Sequence, residues 1–107
     1  MQNLILKTGR GTFHSVYIND IVYLERLKGR TKVFLKDKSL RVNVSFDKLL
    51  EKLDKNFIQC HRKYAVNIKY VTKFNIKSIR LDNTEIPLGP YFKKDFIEFM
   101  FHKHKLI

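Results

Sequence analysis

Three short basic clusters and a single thiol are the parts of this sequence best equipped for chemistry. Lys28-Gly29-Arg30-Thr31-Lys32, His61-Arg62-Lys63 and Lys93-Lys94 each gather cations where the surrounding pattern breaks into a turn or opens a helix. Ammonium groups on such tips bind phosphate oxygens, and the planar fork of arginine also pairs with O6 and N7 of guanine. Loops between strands project beyond the hydrogen-bonded sheet, so their side chains can enter a groove while the sheet holds their spacing. Polyanion recognition is the chemistry these spacings favour. Each lysine taken alone has the plainer alternative of a solvated surface charge.

Other chemistries are poorly supplied. Acid–base cleavage of RNA wants two histidines and a lysine converging on one phosphate, whereas His14, His61, His102 and His104 are far apart in the sequence. Cys60-His61 with His102-x-His104 lacks the ligand spacing of a zinc site. No Gly-rich phosphate loop, serine elbow or paired-carboxylate motif is present. The expectation is a protein that is not an enzyme and uses no cofactor or metal. Cys60 has two readings: a redox-sensitive thiolate favoured by His61, Arg62 and Lys63, or a small residue packed under a strand, which is the preferred one. His61 likewise reads either as a phosphate partner or as a buried structural histidine. One cysteine rules out an internal disulfide and fits a reducing compartment.

The totals agree with a polyanion partner. A net charge of +12, from 22 basic against 10 acidic residues, draws in nucleic acid first and an anionic membrane surface second. Lysine supplies most of that charge; the arginines are Arg10, Arg26, Arg30, Arg41, Arg62 and Arg80. Many point-charge contacts and few base-reading forks follow. The 107 residues make one domain with a sizeable core, and the 44% hydrophobic content excludes a wholly disordered chain. No apolar run approaches the ~18 residues of a membrane helix. Met1 to Lys7 lacks the layout of a secretory signal, so a soluble, cytoplasmic chain without membrane association is expected.

The elements that must hold these clusters read as mainly antiparallel strands. Residues 2 to 8 suit a short strand with Leu4 and Leu6 on one side, broken by Gly9-Arg10-Gly11. Phe13, Val16 and Ile18 begin a second, and Asn19-Asp20 turns the chain into a third over Ile21 to Leu27. Thr31 to Leu35 places Val33 and Leu35 on one face, and Lys36 to Ser39 turns into the close alternation of Leu40, Val42 and Val44. Ser45 caps a short helix carrying Phe46, Leu49, Leu50 and Leu53. Residues 57 to 71 keep a period near two, interrupted by the polar cluster at 61 to 63. Asn67 there satisfies backbone groups at a strand end, and Tyr23, Tyr64 and Tyr70 read as packing residues. Two further strands lead to Ile86-Pro87-Leu88 at a sheet edge. Gly89-Pro90 opens a C-terminal helix with an apolar stripe of Phe92, Phe96, Phe99 and Met100. No internal repeat is evident.

Phe57, then His61-Arg62-Lys63-Tyr64-Ala65-Val66-Asn67, preceded upstream by Asp20-Ile21-Val22-Tyr23-Leu24-Glu25, resembles the paired signature of the LytTR family of bacterial DNA-binding domains. The likeness runs from about Thr12 to about Phe101. It implies antiparallel strands in a small stack of sheets, a short middle helix and a C-terminal helix, with loops rather than a recognition helix aimed at duplex DNA. The resemblance further implies that the first loop and the start of the last helix enter major grooves, with the His-Arg loop between them. The base-reading position of the first loop falls at or beside Thr31, flanked by Arg30 and Lys32; Arg30, with its fork, is the preferred reader. In the central loop the corresponding residue is Arg62. Lys28, Lys32, His61, Lys63, Lys93 and Lys94 are then phosphate partners. At the third site Gly89-Pro90-Tyr91-Phe92 departs from the family's arginine, leaving Tyr91, Lys93 and Lys94 to hold the backbone. Relatives occupy paired direct repeats, so two copies on DNA are expected, and they carry an upstream receiver domain for which 107 residues leave no room. The alternative is a basic RNA-binding or ribosome-associated module, which would want exposed aromatics for stacking.

Overall fold

The computed structural model describes residues 3–107; Gln2, counted in the expected first strand, lies outside them. Strands β1 (Asn3–Thr8) and β2 (Thr12–Tyr17) form a hairpin, and a 3-10 turn at Ile18–Asp20 leads into β3 (Ile21–Arg26). β4 (Thr31–Leu35), β5 (Ser39–Val42), helix α1 (Phe46–Lys52), β6 (Phe57–His61) and β7 (Tyr64–Asn67) follow. A second 3-10 turn at Ile68–Tyr70 opens a meander of β8 (Val71–Phe74), β9 (Ser78–Leu81) and β10 (Thr84–Pro87), and helix α2 (Lys93–Lys103) closes the chain.

The centre is a five-stranded antiparallel sheet in the order β5-β4-β3-β7-β6. Each of its faces buries a different core, because strand residues alternate between faces. Leu24, Val33, Val42 and Ala65 point one way, to be covered by Leu6 and Val16 of the β1–β2 hairpin and by Phe46 and Leu49 of α1. Val66 and Cys60 belong to the other core, with Ile79, Leu81 and Ile86 of the three-stranded sheet and Phe96 and Met100 of α2. The layers are thus hairpin with α1, central sheet, and meander with α2, which is the small stack of sheets expected.

Local chemistry sets several boundaries. Ser45 accepts a hydrogen bond from the Lys48 amide at 3.3 Å and Asp47 lies in the first turn of α1, favourable to its dipole. Pro87 sits in β10, an edge strand, where its missing N–H costs little. The last helix begins later than the sequence suggests. Gly89 to Phe92 form a turn closed by the Phe92 amide on the Gly89 carbonyl at 3.0 Å, so α2 starts at Lys93 and not at Pro90. Its buried stripe is Phe96 and Met100, and Phe96 meets Phe74 edge to face at 5.4 Å.

The absence of an internal repeat needs amending. Val-x-Ile-x-x-(Ile/Val) occurs at Val16 to Ile21 and at Val66 to Val71, and each copy runs strand, 3-10 turn, strand with the middle isoleucine buried. The two turns bond to each other: Tyr70 Oη donates to the Asn19 carbonyl at 2.6 Å and Lys69 Nζ to Asn19 Oδ1 at 2.9 Å. Buried Asn67 donates to the Ile21 carbonyl and accepts from the Lys69 amide, both at 3.0 Å, which meets the strand-end role read for it. These contacts close one end of the central sheet and leave the other to the basic clusters. Among the described residues, no helix is long and apolar enough to cross a membrane.

Candidate nucleic-acid interface

Strand register places the first two clusters side by side. Glu25 pairs with Lys32 of β4 and with Tyr64 of β7, so the β3–β4 and β6–β7 turns leave the sheet at the same end. The sheet order sets their centres two strand spacings apart, about 10 Å, comparable to the width of a major groove. Leu27 and Arg30 close the first turn through a 2.9 Å backbone bond, and Gly29 takes φ +69, a conformation side chains rarely adopt. Lys28 and Arg30 stand exposed on it.

The second turn is pinned from several directions. Arg26 donates its backbone amide to the Lys63 carbonyl at 2.7 Å and its Nε to the Arg62 carbonyl at 3.0 Å. Gln59 Nε2 reaches the His61 carbonyl at 3.2 Å, and the Lys63 amide donates to His61 Nδ1 at 3.0 Å, which leaves the ring proton of neutral His61 on Nε2. Arg62 and Lys63 are therefore exposed cations on a fixed backbone. The rest of the Arg26 guanidinium meets both oxygens of Asp47, at 3.0 and 3.4 Å, and lies 4.4 Å above the Phe46 ring. One arginine ties the start of α1 to the β6–β7 tip. Sequence reasoning missed it, because position 26 lies outside all three basic clusters.

A bulge docks the third cluster onto the second. Gln59 pairs with Ala65 and His61 with Tyr64, which leaves Cys60 as the extra residue. Its carbonyl accepts from the Gly89 amide at 2.8 Å. A side chain at Gly89 would meet His61 and Phe92 carbons at 3.4 Å, so the segment before α2 lies directly against the tip. Tyr91 is 93% exposed there, Lys94 exposed and Lys93 half-buried. All three clusters consequently occupy one end of the central sheet, the third flanking the second.

Two of the expected site residues are placed otherwise. Thr31 is fully buried and its hydroxyl donates to the Val44 carbonyl at 2.9 Å, so it offers neither methyl nor hydroxyl to a ligand. Lys32 extends from the sheet face and not from the tip, its ammonium 5.0 Å from the Phe34 ring. His61 is half-buried, its ring 5.5 Å from that of Tyr64, between the two roles considered for it. Cys60 is fully buried with its thiol 3.7 Å from the Tyr64 carbonyl, and burial pushes its pKa up to about 12. The thiolate imagined from its basic neighbours does not form near neutrality; the packed reading holds. Among the described residues, no group of three or more His, Cys, Asp or Glu could hold a metal ion.

Comparison with known proteins bears on this arrangement. The family model described as LytTr DNA-binding domain matches residues 11–100. Among solved structures, the LytTr DNA-binding domain of a methyl-accepting/DNA response regulator from Bacillus cereus superposes with a TM-score of 0.79 at 22% identity, covering 94% of this chain and 97% of that one. No curated protein matches the chain.

Proposed function

Since the chain belongs to the LytTR family of DNA-binding domains, we propose that it is a transcription regulator reading promoter duplex with the tips at one end of its central sheet. Arg30 and Arg62 are the base readers in this proposal. Lys28, Lys63, Lys93 and Lys94 hold phosphates, His61 and Tyr91 contact the phosphate backbone beside them, and Lys32 is an outlying partner. The single observation that carries the reading is the pairing of Glu25 with both Lys32 and Tyr64, which sets two arginine-bearing tips about 10 Å apart on a rigid edge. Such a spacing suits one groove and its bordering phosphates.

Two copies on a direct repeat, an upstream receiver domain and a cytoplasmic location complete the proposal. Selection of bound duplexes from a random pool tests it. An enriched direct repeat is the expected result. Recovery of no preferred duplex, with tighter binding to structured RNA, would transfer the assignment to the basic RNA-binding module.

A further inference from the structure

We propose that the Gly9-Arg10-Gly11 turn of the β1–β2 hairpin is a fourth phosphate-contacting tip, extending the interface past the β5 edge of the central sheet. The proposal rests on the duplex-binding reading above. Its cation, Arg10, lies one residue before the family match, which begins at residue 11.

Asn43, one residue beyond β5, fixes where this turn lies. Its backbone amide donates to the Lys7 carbonyl at 2.9 Å and its Nδ2 to the Gly9 carbonyl at 2.7 Å. The next residue, Val44, accepts the Thr31 hydroxyl at 2.9 Å, and Thr31 adjoins Arg30. Gly9 is thus joined to Arg30 by a short path of two hydrogen bonds and adjacent residues, at the end of the sheet where the other tips project. Because β5 and β6 are the two edges of the sheet, Arg10 flanks one side of the row and Lys93 and Lys94 flank the other. The sheet alone separates those flanks by about 19 Å across four strand spacings, in a molecule whose longest extent is 48 Å. A duplex laid along the row would meet Arg10 outside the groove occupied by Arg30, where only its phosphates are within reach.

The turn itself suits that task. Arg10 is exposed, no carboxylate lies within ion-pair distance of it among the described residues, and the space around Gly9 and Gly11 is open, so the backbone can approach a phosphate closely. Lys7, 6.0 Å from the Phe13 ring on the same hairpin, adds a second cation behind it.

The test measures affinity of the whole chain for its selected duplex and for a random duplex across a salt series. Arg10→Ala is expected to weaken both duplexes alike, several-fold, and to reduce the slope of log affinity against log salt by about 0.9, the value of one released phosphate contact. Arg10→Lys should restore the slope. Lys38→Ala, which removes the same charge from the β4–β5 turn at the opposite end, should leave it unchanged. An unaltered slope in Arg10→Ala, or equal losses in Arg10→Ala and Lys38→Ala, would overturn the proposal. A parent chain that binds no duplex would remove the reading beneath it, visibly and before any variant is made.

Discussion

At the residue scale the consequence of burial is sharpest at Thr31 and Cys60. The sequence already holds the signal for Thr31: Val33 and Leu35 share a face, and the same parity turns Thr31 to that face and Lys32 with Phe34 to the opposite one. The family resemblance, which puts the base-reading position at or beside Thr31, outweighed that alternation, and the burial of Thr31 leaves Arg30 as the exposed neighbour. Thr31→Val should keep the shape and strand the Val44 carbonyl, costing about 1 to 3 kcal/mol in denaturant unfolding while leaving sequence preference intact. Arg30→Ala and Arg62→Ala are expected to do the reverse, each losing about 1 to 3 kcal/mol of affinity for the selected duplex and little stability. Equal losses on specific and random duplexes would refute base reading by either arginine. Cys60 makes a pH prediction. Burial raises its folded pKa to about 12 from an ordinary 9.0, so the folded state keeps the proton. The contribution is complete below about pH 9 and disappears as pH climbs through 12; Tyr23 and Tyr64, raised by burial and then by Glu25, act in the same direction. Melting temperature should therefore fall above pH 9, less steeply in Cys60→Ala, and a thiol reagent should label the folded chain slowly at pH 8. Rapid stoichiometric labelling would contradict the packed thiol.

At the element scale β3 is the strand that sits between the two arginine-bearing tips. It pairs with β4 and β7, carries Glu25 between the two tips and ends in Arg26, whose guanidinium spans the Arg62 carbonyl and Asp47. The Arg26–Asp47 pair is too exposed to contribute more than about 1 kcal/mol to stability. Its effect is positional: without it the β6–β7 tip keeps its charges and loses part of its fixed orientation. Arg26→Gln should accordingly lower affinity for the selected duplex more than for random duplex, with the salt slope retained, and a fall confined to thermal stability would refute the positioning role. Much of this frame was legible beforehand. Leu40 with Val42, the Ser45 cap, the edge proline and the strand-end Asn67 all follow local rules of period, capping and amide bonding. The bulge at Cys60 and the coupling of Gly89 to its carbonyl were not, because both depend on pairing between residues distant in sequence. The Val-x-Ile-x-x-(Ile/Val) repeat was present but too short to stand out until both copies folded into 3-10 turns.

At the scale of the whole molecule, charge and shape make separable claims. A net charge of +12 attracts any polyanion from a distance, and a basic surface without defined contacts would do so with little dependence on which lysine is removed. The fold makes a narrower statement. Its two ends differ: one is closed by bonded 3-10 turns, with Lys69 and Tyr70 both engaged to Asn19, whereas the other carries the basic tips. If Lys28, Lys63, Lys93 and Lys94 each displace one counterion, log affinity should fall against log salt with a slope of about −3.6, or about −4.5 with Arg10 included. Raising salt fourfold from 50 to 200 mM would then weaken binding by roughly 150- to 500-fold. Single alanine substitutions at those lysines should each flatten the slope by about 0.9, and Lys38→Ala and Lys55→Ala, outside the tip cluster, should not. A slope that falls by the same amount wherever a positive charge is removed would mean that the duplex senses the molecule's field rather than one edge of its sheet.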